Sequence, residues 1–274
     1  MIVSVLRWLV YVVALLAMNF PVLVTLITSF KSARELSVNA GLWINDFTLE
    51  NYARVLEVTD RTNIYAYLAN SLAAAAIGTG LAVLLAFPAA YALARGSWGR
   101  NTLMPIVVNL RAVPLIIFAI PLYMMFQWLG LLDTQIGLGL ILTIVNVPLA
   151  LVILTNAISD TPIELDQAAR MDGAGTTQVL LRIIGPVVRP ALVTTFIFGF
   201  ITAWNEFLFG LMLTTNRAVP ITVGASFFFS SSGGGIQWGM ASAIMILAAL
   251  PPMVLGLVMY RQIAGSMTAG ALKG

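Results

Sequence analysis

Residues 159–190 read SDTPIELDQAARMDGAGTTQVLLRIIGPVVRP. This charged stretch separates two uncharged apolar runs, 134–159 and 190–205. Asp160 or Thr161 can cap a helix whose first turn holds Pro162 and Glu164. Leu165, Ala168, Ala169 and Asp172 follow at helical spacing. Gly173 then takes the glycine stop position, with Ala174 beyond it. A second amphipathic helix is expected with Val179, Leu180, Ile183 and Ile184 as its apolar face. Pro186 is expected to break it, and Pro190 to open the next apolar run. Two readings stand for the first helix. One is a loop that merely joins two spans. The other is a docking element, in which small side chains let a partner's backbone come close.

Outward from this stretch the chain is strongly apolar. Of its 274 residues 60% are hydrophobic and only 9% are charged. Ordinary soluble domains carry roughly 25% charged residues, so the expectation is a multi-span, all-α membrane protein. Cysteine and histidine are absent. Their absence removes disulfides, imidazole metal sites and Ser-His or Cys-His catalysis. The only two lysines, Lys31 and Lys273, end no phosphate-binding loop, so the chain has no ATP site of its own.

Spans of ~20 apolar residues are expected at about 8–30, 68–94, 103–130, 135–158, 190–213 and 239–260, with a cytoplasmic loop at 159–189. The first run follows Arg7 but is long for a signal peptide and lacks an A-x-A site, so it is read as a retained helix. With the N-terminus inside, cytoplasmic segments hold Arg7, Arg95, Arg100, Arg170, Arg182, Arg189, Arg261 and Lys273. Outer segments hold Lys31, Arg34, Arg54, Arg61 and Arg217. That bias favours both termini inside. Thr48 is a candidate cap for a short outer helix. Gly78, Gly80, Gly137 and Gly139 lie inside spans, where glycines serve close packing. No internal repeat is visible.

The 159–190 stretch resembles the EAA loop of bacterial ABC importer permeases. Gln167-Ala168-Ala169, Gly173, Ile183 and Gly185-Pro186 keep the family spacing, with Gln167 in place of the usual Glu and Gly185 in place of the usual Leu. Further stretches are similar to carbohydrate-importer permeases of the MalG-like kind. They are Asn70-Ser71-Leu72, 90–95, Ile120-Pro121-Leu122-Tyr123, 130–134 (GLLDT), and Ala203-Trp204-Asn205-Glu206-Phe207. The end, Thr268, Gly270 and Lys273 included, resembles the family's C-terminal tail. The resemblance implies a six-span permease in a bacterial inner membrane. It implies a homologous second permease, two ATPase subunits that bind ATP and Mg, and an extracytoplasmic solute-binding protein. The chain itself would bind no cofactor. Glu164, Asp166, Gln167, Ala168, Ala169, Asp172, Gly173, Ala174 and Pro186 would form the ATPase-coupling region, with Glu164 or Asp166 able to supply charge. The serine- and glycine-rich segment 227–238 would reach toward the docked binding protein.

Two charges fall inside spans. Arg111 lies roughly 16 Å along a helix from Arg100, and Glu206 roughly 25 Å from Arg189. A charge at mid-membrane costs at least ~2.5 kcal/mol and faces a cavity or partner. Arg111 either caps carbonyls where Pro105, Pro114 and Pro121 break its helix, or lines a solute path. Trp204, Asn205, Glu206 and Phe207 either line that path, by stacking and hydrogen bonding, or pack on the second permease. The competing class is an ion-coupled secondary transporter. It needs titrating groups in the membrane and often shows repeats, and this chain offers one membrane carboxylate. An intramembrane enzyme lacks the necessary His, Cys or carboxylate pair.

Overall fold

The computed structural model describes residues 2–39, 41–59, 62–96, 99–229 and 236–271, with side chains at all of these except 2, 3, 5, 100 and 258–271. Its regular structure among the described residues is helical, apart from one isolated antiparallel bridge between Lys31 and Phe47. Among the described residues four helices are long and apolar enough to cross a membrane: α1 (Ile2–Ser29), α4 (Ile64–Arg95), α7 (Gln135–Ser159) and the start of α14 (Trp238–Ala271). A fifth candidate is a bent pair. The expected third span is two short helices, α5 (Arg100–Leu110) and α6 (Ile116–Trp128), each too short to cross alone. Pro114 lies in the gap and has no N–H to continue the ladder.

The chain forms two compact units. The first comprises residues 1–65 and 223–250. In it α1 is apolar and, from Leu6 to Leu23, exposed on all sides, as lipid or a partner helix requires. Past its end, α2 (Ala33–Val38) and α3 (Glu50–Leu56) fold around a polar knot. Ser32 caps α2 by accepting the Glu35 N–H at 3.1 Å. Glu35 is buried and accepts the N–H groups of Asn45 at 2.7 Å and Asp46 at 2.8 Å. Those contacts, led by Asn45, hold its carboxyl below the usual range, against the opposing effect of burial. Lys31 is also buried and donates to the Gly41 carbonyl at 2.5 Å. Thr48 does not cap α3, because Leu49 occupies that position, but its hydroxyl accepts the Glu50 N–H at 3.1 Å.

The second unit comprises residues 66–222 and 251–274. Its core joins α4 and α7. Glycines set that approach, since a Cβ on Gly78 would meet the Leu142 Cβ at 2.6 Å and one on Gly139 would meet Ile77 at 2.5 Å. Gly80 plays no such part, because nothing lies within 4 Å of its Cβ direction. Farther along, Phe87, Tyr91, Leu151, Leu154 and Ile158 form an apolar floor. On that floor sit α8 (Glu164–Met171), α9 (Thr176–Gln178), a π-helical turn (Val179–Ile184) and α10 (Gly185–Val187). At Val188 the chain bends by 80° into α11 (Arg189–Trp204). Pro186 therefore does not break the second amphipathic helix, as expected from its sequence. Its missing N–H falls beside a π-turn, where Gly185 already donates back to Leu180, and the break comes at Val188.

At the other end of this unit, Asp133 adopts a left-handed φ of 53° in the turn between α6 and α7. Its carboxylate accepts the successive N–H groups of Thr215, Asn216, Arg217 and Ala218 at 2.9–3.2 Å. Burial pushes this carboxyl up, but the four N–H groups outweigh it and leave a pKa of about 2. Asn70 donates to the carbonyls of Arg217 and Val219, and Ser71 accepts the Ile221 N–H at 2.7 Å. The segment between α12 (Leu208–Leu213) and α13 (Ile221–Ser226) is thereby clasped by residues from the Asn70-Ser71 and 130–134 motifs.

Candidate functional site: the α8 platform and the broken helices

Glu164 and Asp166 occupy the first turn of α8, where the helix dipole favours acidic groups. The expected caps do not serve it. Asp160 ends α7, and the Thr161 hydroxyl donates to Ala157. Asp166 and Ala169 point inward and are buried. The Asp166 carboxylate accepts the Tyr91 hydroxyl at 2.7 Å and two Arg95 N–H groups at 3.2 Å each. Its charge is therefore bonded inside the chain; of the two residues expected to be able to supply charge, Glu164 is the exposed one. Glu164, Gln167, Ala168 and Asp172 are exposed. So are Ile163 and Met171, which is 88% exposed. The sequence reading missed both. An apolar side chain outside the helical stripe is the signal that marks them.

Gly173 has a φ of +83°. The Gly173 N–H reaches the Arg170 carbonyl at 3.0 Å, and the Ala174 N–H reaches the Ala169 carbonyl at 2.9 Å. These two bonds make a Schellman stop, as the glycine's position foretold. A Cβ on Gly173 would meet nothing within 4 Å. Pro186 is exposed in α10.

The two charges that the sequence places inside spans sit in different surroundings. Arg111 ends α5, and among the described residues its guanidinium has no ion pair and no side-chain hydrogen bond. It lines a cavity of about 490 Å³ bounded by the α5–α6 break, α7, α11 and α12. Glu206 instead does the capping. The helix unwinds at Asn205–Phe207, and the Glu206 carboxylate accepts the N–H groups of Phe209 at 3.0 Å and Gly210 at 3.3 Å. Trp204 is buried and stacked on Phe200, with ring centroids 5.7 Å apart. Asn205 and Phe207 are exposed, and the Asn205 amide donates to Ile201. None of these four residues is among those lining the Arg111 cavity. Thr202, Phe209 and Asn146 line it, and the sequence reading had singled out none of them. Thr268 and Gly270 belong to the backbone of α14, but their side chains, Lys273 and the segment 230–235 lie outside the described residues.

Residues 78–268 match the family of binding-protein-dependent transport system inner membrane components, and the chain belongs to that family. It is the permease subunit of an ABC importer of the inner membrane. It is 38% identical over 230 residues to the trehalose/maltose transport system permease MalG of Thermococcus litoralis, covering 83% of this chain and 82% of that one. It is 29% identical over 258 residues to the sulfoquinovosyl glycerol permease SmoH of Agrobacterium fabrum, covering 93% and 89%. In fold it is similar to a chain of a bacterial ABC transporter that imports the acidic polysaccharide alginate. That match has a TM-score of 0.76 and 21% identity, and it covers 95% of this chain and 96% of the other. This membership decides against the ion-coupled secondary transporter.

Proposed function

We propose that this chain is one of two homologous permease subunits of a saccharide importer. Two ATPase subunits drive it, and a solute-binding protein supplies it from outside. Six spans follow if α5–α6 and α11–α12 each count as one broken span, with both termini in the cytoplasm. Under that orientation α8 lies on the cytoplasmic side and the Asp133 clasp on the outer side. ATP and Mg belong to the ATPase subunits. When these close on ATP, the exposed face of α8, with Glu164, Gln167, Ala168 and Met171, would transmit the movement. The inward face, with Asp166 and Ala169, carries it into α4 and α7. The saccharide class is supported by the named activities of the relatives.

The observation that carries this reading is the two-faced α8. One face is bonded to the end of α4, and the other is exposed, mixes polar and apolar side chains and is ended by a glycine with open space beside it. The test is a cysteine introduced at Gln167, where the chain's lack of cysteine gives a clean background. In the co-expressed importer this thiol should crosslink to the ATPase subunit, in a nucleotide-dependent manner. Crosslinking to lipid-phase reagents alone, with no ATPase recovered on purification, would refute the reading.

A further inference from the structure

The stretch between α1 and α3 is folded inside out. Its two ends are tied together just past α1, where Lys31 bridges to Phe47 and the Thr48 N–H reaches the Phe30 carbonyl at 2.9 Å. The Phe30 and Phe47 rings stack at that closure, with centroids 5.3 Å apart. Within the loop so formed, two charges are turned inward. Lys31 and Glu35 are 2% and 4% exposed and stand 3.9 Å apart. The Asn39 amide holds the far side, donating to Glu35 at 3.0 Å and to the Trp43 carbonyl at 3.1 Å. The apolar side chains are turned outward. Val38 is 82% exposed, Trp43 83% and Phe47 63%, and Leu42 and Ile44 are exposed as well. Residues 36–45 carry no charge. A loop in water does the reverse, because burying charge is costly and exposing apolar surface gains nothing.

The position of the loop says what surrounds it. The apolar run Leu6–Ser29 has 24 residues, roughly 36 Å at 1.5 Å per residue, against ~30 Å of hydrocarbon. Centred in a bilayer, α1 ends about 3 Å beyond the hydrocarbon edge, among the headgroups. Both ends of the loop are pinned at that level. An indole ring prefers this depth, with its body in lipid and its N–H toward water. Leu36 and Leu42 of the loop, with Val24, Ile27 and Trp238, also line a cavity of about 400 Å³ beside the last turns of α1. A soluble partner that docks and leaves would return Val38 and Trp43 to water in every cycle. Lipid at the end of α1 covers them throughout.

We propose that the 31–48 loop seats in the membrane interface at the end of α1, with Val38, Leu42, Trp43 and Phe47 as its lipid contacts. Under the orientation above this is the outer leaflet. The buried Lys31–Glu35 pair holds the loop closed and keeps its own charges off the lipid face. The proposal goes beyond the importer reading and requires only that α1 is a span.

The chain has no cysteine, so Trp43→Cys and Val38→Cys each place a single thiol in this subunit, used with cysteine-free partner subunits. The assembled importer is labelled with a nitroxide and placed in nanodiscs of phosphatidylethanolamine and phosphatidylglycerol. Collision of the label with oxygen, which concentrates in lipid, is compared with collision with a water-soluble nickel chelate. Glu57→Cys, at an exposed position past α3, is the reference. Exclusion of the polar chelate should raise the oxygen-to-nickel ratio at both loop positions on the order of tenfold above the reference. Should Trp43→Cys fail to assemble, Val38→Cys carries the measurement alone. A ratio equal to the reference at either position overturns the proposal, because the loop then stands in water. Low collision with both reagents overturns it in favour of a partner subunit covering the loop. A lipid-like ratio that gives way to shielding from both reagents when binding protein is added overturns it in favour of a docking surface.

Discussion

Replacing Asp166 by alanine tests how α8 is held. The side chains of Arg95 and Asp166 are 12% and 6% exposed, so water cannot take over their bonds. The variant loses the Tyr91 hydroxyl contact at 2.7 Å and both Arg95 contacts at 3.2 Å, and it leaves Arg95 without its carboxylate. Removing one partner of a buried pair costs about 3–5 kcal/mol. An eight-residue helix is marginal without such tertiary support. The loss is therefore expected to detach α8 while the spans stay folded. Amide hydrogen exchange in purified importer should show protection of 164–171 falling by about a hundredfold or more. ATP hydrolysis stimulated by the binding protein should be lost. Tyr91→Phe removes one bond and should cost only about 1 kcal/mol, leaving stimulation largely intact. Unchanged exchange across α8 in Asp166→Ala would refute the reasoning, because the anchor would then lie elsewhere.

Three further outcomes are expected. Gly173→Asn should be nearly silent, whereas Gly173→Ala should cost about 1–2 kcal/mol from its φ of +83° alone. Since a Cβ there meets nothing in this chain, any extra loss of coupled ATP hydrolysis in Gly173→Leu over Gly173→Ala measures what sits against it in the assembled importer. Gly139→Ala should lower the melting temperature through overpacking of about 1–3 kcal/mol, while Gly80→Ala should leave melting by intrinsic fluorescence unchanged. Asp133 has a folded pKa of about 2, below its unfolded value of 3.8, so its contribution is fully present above pH 4 and is lost as pH falls toward 2. The contribution is on the order of 1–2 kcal/mol once partial exposure is allowed for. Melting curves at pH 7 should show Asp133→Asn less stable than the parent, and the gap should narrow below pH 4.

The helices and the glycine stop were legible because each has a local cause. Uninterrupted apolar runs give α1, α4 and α7, and Gly173 follows an amphipathic helix of the right length. Gly78 and Gly139 were legible as packing glycines, while Gly80 was not separable from them, because only the position of α7 decides which glycine meets a neighbour. For Arg111 and Glu206 the sequence left the alternatives open. Both break an apolar run, and sequence does not show which backbone or cavity a charge meets. The unwinding at Asn205–Phe207 supplies free N–H groups to Glu206, and the gap after Leu110 leaves Arg111 facing space. Asn146 was invisible, being one polar residue in an apolar run. Asp166 looked like its exposed neighbours until Tyr91 and Arg95, some seventy residues away in sequence, were brought beneath it.

The 80° bend at Val188 has a mechanical side. Residues 176–187 form an arm roughly 18 Å long at 1.5 Å per residue, set nearly square to α11. Such an elbow is a crank. A rocking of about 10° around Val188 sweeps the Thr176 end through roughly 3 Å, given that arm length, while α11 itself only turns. Because the chain is already interrupted there, the turn strains no continuous helix. Under the proposed coupling through α8, force applied there would reach the membrane as torque on one helix, with a stroke set by the length of the arm.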